Sequence, residues 1–168
     1  QKTAYEIPKR DWSSDVCSSD LLRAALKLLP PVEEAAFVDL GCGKGRPLIV
    51  ASEFPFRDII GVDFSAPLVA IARGNAAIVA RKHSDRTPIR VEKGDAGAFA
   101  LPDGDVVVFL YNPFGRGVMV RVLAQVEAAL KKSQRALYVV YYNPVHGKLF
   151  DECPLLTRRF AGDIAYAA

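Results

Sequence analysis

Apolar positions along this chain change period several times, and each change marks an element. Leu22, Ala25, Leu26 and Leu29 recur at helical spacing, and Pro30-Pro31 ends that helix. Phe37, Val38 and Leu40 then supply a buried strand that runs into Gly41-Cys42-Gly43-Lys44-Gly45 and a helix over about Pro47 to Glu53. Pro47 suits the first turn of that helix, where a missing N–H costs nothing. Asp58 to Asp63 is a second short apolar strand, ending on a carboxylate. Ser65 is placed to cap the next helix, with Pro67 in its first turn and apolar residues through Val79. Ile89 to Glu92 alternates as a third strand and leads into Gly94-Asp95. Asp105 to Tyr111 has the continuous apolar run of a strand buried on both faces. A helix from about Val118 to Lys131 follows, then a fifth strand from Ala136 to Tyr142. Leu155 to Phe160 and Ile164 to Ala167 are expected to form an antiparallel pair at the sheet edge.

Strand–helix alternation of this length predicts an α/β fold, a doubly wound, mostly parallel sheet with helices on both faces. In such sheets ligands sit beyond the carboxyl ends of the strands, near the point where strand order reverses. The polar residues of interest fall there. Asp39 and the glycines follow the first strand, Asp63 the second, Asp95 the third, Asn112 the fourth and Asn143 the fifth.

Gln1 to Leu21 shows no hydrophobic period, so the fold is read from Leu22 onward. Arg10-Asp11-Trp12-Ser13-Ser14-Asp15-Val16-Cys17-Ser18-Ser19-Asp20-Leu21 resembles the conceptual translation of a sequencing-library adapter; the alternative is a polar loop with a Ser-Asp repeat. The expected organisation is a non-native segment over residues 1–21 and one domain over residues 22–168.

Composition narrows the function without naming it. The 168 residues, 51% of them hydrophobic, suffice for a single core. A net charge of +3 is too mild to point to nucleic acid, and no apolar run approaches a membrane span. The polar N-terminus lacks the apolar segment of a signal peptide. Cys17, Cys42 and Cys153 have no metal-ligand spacing, and their odd number argues against a disulfide framework. The expectations are therefore no metal, no membrane, no nucleic acid and a soluble, cytoplasmic setting.

Three glycines at alternate positions remove every Cβ from the first turn, which lets backbone N–H groups and a helix N-terminus close on a ligand. Asp63 lies eighteen residues past Gly45, where an acid accepts from ribose hydroxyls. NAD is the first candidate, but its fingerprint wants Gly or Ala where this chain has Arg46. Asp39, two residues before Gly41, also sits poorly beside a pyrophosphate and suits a ligand carrying an ammonium group.

Asp39-Leu40-Gly41-Cys42-Gly43-Lys44-Gly45 resembles the first motif of the class I S-adenosylmethionine-dependent methyltransferases. Gly61-Val62-Asp63-Phe64-Ser65 resembles their second motif, Gly94-Asp95-Ala96 their third and Tyr111-Asn112-Pro113-Phe114 their fourth, so that the likeness covers Phe37 to Phe114. Within that class, Gly43-Lys44-Gly45-Arg46 followed by Asn112-Pro113-Phe114 is similar to small bacterial proteins related to the histone-lysine methyltransferases that lack a SET domain. The resemblance implies a Rossmann-like fold, S-adenosylmethionine as cofactor and methyl transfer to an unidentified acceptor, an amine favoured, on a protein or a small molecule. It implies that Gly41, Gly43 and Gly45, with Cys42 between them, line the methionyl part and that Asp39 faces its amino group. Asp63 would hold both ribose hydroxyls, Phe64 would pack on adenine, and Asp95 would accept from the adenine amino group with the Ala96 N–H nearby.

Each assignment has a structural alternative. Asp39 could cap the turn, Phe64 could be core, and Asp95 could be a turn former. Asn112 and the carbonyl beside it, at Pro113, could accept from an amine and orient its lone pair, with Phe114 or Tyr111 walling the acceptor. Amino-methylating members of the class usually show Asn-Pro-Pro and then an aromatic; this chain has one proline, which leaves the target atom open. Tyr142-Asn143-Pro144 repeats the pattern, so both segments could be strand stops, and His146 just beyond could be a general base. Two other functions stay in play, an NAD-dependent oxidoreductase and a non-catalytic nucleoside-binding protein.

Overall fold

Alternate residues of each central strand face opposite ways, and this period of two divides the core into two layers. The computed structural model describes residues 3–7, 18–111, 114–132 and 136–161. In chain order its elements are β1 (Thr3–Ile7), α1 (Ser18–Lys27), β2 (Ala36–Leu40), α2 (Arg46–Ala51), β3 (Asp58–Asp63), α3 (Ala66–Lys82) and β4 (Ile89–Lys93). A 3-10 turn (Ala96–Ala98), β5 (Val106–Tyr111), α4 (Arg116–Lys132), β6 (Leu137–Tyr142), α5 (Gly147–Asp151) and β7 (Thr157–Ala161) complete them. Val38, Leu40, Val108, Leu110 and Val139 pack against Met119, Val122 and Val126 of α4. Phe37, Ile59, Val107, Phe109 and Val140 belong to the other layer, with Leu22 and Leu26 of α1, Leu48 of α2 and Val69 of α3. Helices on both faces explain why the central strands read as unbroken apolar runs.

The sheet has the order β4-β3-β2-β5-β6-β1-β7. Every pairing among the described strands is parallel, which bears out the doubly wound α/β reading. Strand order reverses between β2 and β5, so ligands are expected at the carboxyl end of β2.

Two expectations change at the sheet's far edge. The hydrophobic period begins only at Leu22, yet Thr3–Ile7 pairs with β6 from Thr3↔Tyr138 to Ile7↔Tyr142 and with β7 on its other side. A five-residue strand is too short to show a hydrophobic period, and what fixes it is backbone pairing between two neighbours. Helix α1 likewise starts four residues earlier, at Ser18, and buries Leu21 beside Leu22. The expected edge segment at Leu155 to Phe160 is β7, but it runs parallel to β1, and its expected antiparallel neighbour at Ile164 to Ala167 lies outside the described residues.

Helix α2 is held from two sides. Arg23 of α1 grips Glu53 through two hydrogen bonds, Nε to Oε2 at 2.6 Å and Nη2 to Oε1 at 2.7 Å, and this holds the Glu53 carboxyl below its ordinary range. On the sheet side, Gly61 leaves no room for a larger residue. A Cβ there would stand 2.4 Å from Leu48 Cδ1 and 2.9 Å from Cys42 Sγ. Gly61→Ala is therefore expected to push α2 and the glycine turn off β3 and to lose roughly 1–3 kcal/mol of stability by overpacking. Denaturant midpoints measure this; an unchanged midpoint with an unchanged slope would refute it.

Candidate functional site

The turn after β2 is built from left-handed backbone. Gly41, Gly43 and Gly45 have φ of 85°, 54° and 80°, values that favour glycine. Their N–H groups do not face a ligand, contrary to the sequence expectation. Gly41 donates to the Val62 carbonyl at 2.8 Å, Gly45 to the Cys42 carbonyl at 2.8 Å, and Gly43 to Asp63 Oδ2 at 2.9 Å. The turn uses these donors for its own closure and offers a ligand space instead. At Gly43 a Cβ would meet nothing within 4 Å, so the turn is open there. At Gly45 a Cβ would come within 3.2 Å of Ala72 Cβ, so glycine lets α3 close on the turn. Asn75 of α3 completes the contact by donating to the Lys44 carbonyl at 2.9 Å.

Two residues of this turn differ from their sequence roles. Cys42 is buried, donates its N–H to the Val62 carbonyl and accepts from Gly45, so its thiol packs beneath the turn. Burial, with the charges of Asp39 and Asp63, pushes that thiol up to about 12, which keeps it protonated. Arg46 is exposed, so its bulk does not press helix against strand. The turn itself disfavours a dinucleotide, because its three glycine N–H groups are already bonded and not free for a pyrophosphate.

Asp39 and Asp63 are the buried acids of the site, 1% and 6% exposed. Asp63 is well satisfied, its Oδ2 accepting from Gly43 and its Oδ1 from the Ser65 N–H at 2.8 Å. A carboxylate has about four acceptor positions, so Asp63 keeps capacity for two further donors. Asp39 is the opposite case. Its Oδ2 is buried with no hydrogen-bond partner among the described residues. Burial first, and the charge of Asp63 second, hold its carboxyl well above the ordinary range. An orphaned buried acceptor beside an open turn is the feature a cationic ligand group would complete.

A cavity of about 400 Å³ runs from Asp63 to the end of β4, and Asp39 is not among its lining residues. Asp63, Phe64, Asp95, Ala96, Phe114 and Arg121 are among the residues that line it. Phe64 is 73% exposed, so the ring is not core and is free to stack on a ligand. Asp95 caps the 3-10 turn by accepting from the Gly97 N–H at 2.9 Å and also pairs with Arg121. Nothing local in the sequence distinguishes Arg121 from other exposed arginines on helices. Ala96 is buried at the start of the same turn.

The residues expected to hold the acceptor are only partly brought together. Asn112 and Pro113 lie outside the described residues. Phe114 lines the cavity and packs on the α4 layer, whereas Tyr111 packs on the opposite layer, stacked on Tyr142 at 4.7 Å and 18°. Burial raises the Tyr111 phenol, so it stays neutral. Asn143 has a left-handed φ of 49° and its carbonyl accepts from the Val145 N–H at 2.9 Å, which makes Tyr142-Asn143-Pro144 a strand-ending turn. His146 donates its backbone N–H to the Tyr141 hydroxyl at 3.4 Å.

At the strand reversal of this α/β sheet the structure thus places an open glycine turn, a buried acid with acceptor capacity to spare, Asp63, and a second buried acid, Asp39, whose Oδ2 has no partner among the described residues. A family profile described as a methyltransferase domain matches residues 37–133, and the chain belongs to that family. No curated protein matches the sequence. Among solved structures, the glycopeptide N-methyltransferase MtfA complexed with S-adenosyl-L-methionine is 21% identical, with a TM-score of 0.54 over 73% of this chain and 55% of its own. The StiE O-MT is 17% identical, with a TM-score of 0.52 over 68% of this chain and 40% of its own. YcgJ from Bacillus subtilis is 20% identical, with a TM-score of 0.50 over 62% of this chain and 43% of its own. The chain thus spans between two fifths and just over half of these proteins' lengths, and the likeness is one of fold.

Among the described residues, no group of three or more His, Cys, Asp or Glu side chains could hold a metal ion, and no helix is long and apolar enough to cross a membrane.

Proposed function

We propose that this domain binds S-adenosylmethionine and transfers its methyl group to an acceptor amine on a protein or small molecule. The observation that carries the reading is Asp39 Oδ2, buried without a partner among the described residues, on the strand that leads into the glycine turn. The cofactor's ammonium group would supply the missing charge and donors, while a dinucleotide would bring a pyrophosphate toward the same carboxylate.

The other residues fit the rest of the cofactor. Asp63 has two acceptor positions left for the two ribose hydroxyls. Phe64 offers an exposed ring for the adenine face, and Asp95 with the Ala96 N–H provides an acceptor and a donor for its edge. When bound, the cofactor supplies a methyl group already activated on a sulfonium, so the protein's task is alignment and exclusion of water. Asn112 and Pro113 are assigned to the acceptor, because oxygen atoms that accept from an amine N–H turn its lone pair toward the donor. The neighbouring folds include proteins named as N- and O-methyltransferases, so an acceptor amine rests on Asn112 alone. A cytoplasmic setting fits Cys42 and Cys153, two buried thiols that form no disulfide.

Calorimetric titration of the purified chain with S-adenosylmethionine and, separately, NAD tests the reading. Micromolar binding of the first and none of the second is expected. Binding of neither by the folded chain, or preference for NAD, would overturn it.

A further inference from the structure

We propose that Arg121 is a positioning residue for base recognition: it holds the Asp95 carboxylate so that one oxygen is left to accept from the adenine amino group. This rests on the proposed binding of S-adenosylmethionine. Arg121 Nη2 lies 3.2 Å from Asp95 Oδ1 and 3.0 Å from Oδ2, and the Gly97 N–H donates to Oδ1 at 2.9 Å. Oδ1 therefore carries two donors and Oδ2 one, which leaves the open acceptor position on Oδ2. Both side chains line the cavity that also holds Phe64 and Phe114.

The 3-10 turn is shaped around this arginine. A Cβ at Gly97 would stand 2.6 Å from Arg121 Nε and 3.0 Å from both Nη2 and Cβ of the same residue. Glycine at 97 is what lets the guanidinium cross the turn to reach Asp95. The pair contributes little to stability, since Arg121 and Asp95 are 54% and 51% exposed and solvent screens them. Its consequence is orientation. Without Arg121 the carboxylate keeps only the Gly97 N–H and is free to turn its second oxygen away from the base.

The test compares S-adenosylhomocysteine with its inosine analogue, in which a carbonyl replaces the amino group, by calorimetry on the full chain. The wild type is expected to prefer the adenine form. Arg121→Met should weaken that form by roughly fivefold and leave the inosine form nearly unchanged, so the preference between them contracts. Arg121→Lys should recover most of the loss, because an ammonium also pairs with Asp95. Gly97→Ala, which displaces the guanidinium but keeps it in the protein, should behave like Arg121→Met. In an Asp95→Asn background, Arg121→Met should add no further loss.

Equal weakening of both ligands, or an unchanged preference in both Arg121→Met and Gly97→Ala, would overturn the proposal. Melting temperatures of the variants show which of them are folded; should Arg121→Met fail to fold, Gly97→Ala and Arg121→Lys carry the comparison. Absence of S-adenosylhomocysteine binding in the folded wild type would overturn the proposed function and this inference with it. Binding with unchanged preference would overturn this inference alone.

Discussion

Asp63→Ala is expected to abolish measurable cofactor binding and to destabilise the protein by roughly 2–6 kcal/mol. The two effects share one cause. The Asp63 carboxylate is buried and holds two backbone N–H groups from different segments, Gly43 in the turn after β2 and Ser65 at the start of α3. Alanine leaves both donors without a partner, at about 1–3 kcal/mol each. It also frees the turn from the carboxylate that fixes it over β3. The proposed ribose contacts would go as well, and two hydrogen bonds to a charged acceptor correspond to a loss of at least 100-fold in affinity, on the order of 3 kcal/mol. Asp63→Asn separates the parts, since its amide oxygen still accepts one N–H while the charge is gone. It should recover about half of the lost stability and little of the binding. Chemical denaturation paired with titration measures both quantities. Full binding by a folded Asp63→Ala protein would remove Asp63 from the site.

Much of the fold was legible because its central strands are buried on both faces. Val106–Tyr111 and Leu137–Tyr142 read as strands for that reason, and the positions of Asp63 and Asp95 at the ends of successive strands followed from the alternation. Asp39, expected after the first strand, lies within β2 and pairs with Gly61 and Phe109. What was not legible depends on partners distant in sequence. Thr3–Ile7 is a strand by virtue of pairing with β6 and β7, and α5, five residues long, has too few turns to show a period. The glycine turn shows the same limit within the site. Three glycines told of an open backbone, but not that Val62, Cys42 and Asp63 take up its N–H groups. Arg121 became visible only once α4 was laid across the 3-10 turn, since its meaning lies in Asp95, twenty-six residues away. The difference matters for function. A turn with free donors suits phosphate, and a turn with its donors bonded beside an orphaned acid suits a cation.

Asp39→Asn is expected to move stability and affinity in opposite directions. In the native protein the Asp39 carboxyl sits well above its ordinary range because it is buried and faces the charge of Asp63. As pH rises past about 4, the unfolded chain releases this proton while the native state retains it. The native state then binds more protons, so Asp39 lowers stability progressively through that window, and its effect is absent below it. Asparagine carries no charge and has no such dependence. Wild type and Asp39→Asn should therefore melt together near pH 4 and diverge as pH rises, the variant becoming the more stable of the two. Cofactor affinity should fall by about 10- to 100-fold, because the proposed contact of the cofactor's ammonium with this buried carboxylate loses its charge. Binding to the wild type should also release a proton, since the incoming cation favours the carboxylate form. Titrations in buffers of different ionisation enthalpy measure that release, and Asp39→Asn should show none. A variant that binds weakly but gains no stability at high pH would mean that the ligand-free protein already satisfies the Asp39 charge. The strain that makes this acid a binding group would then be absent.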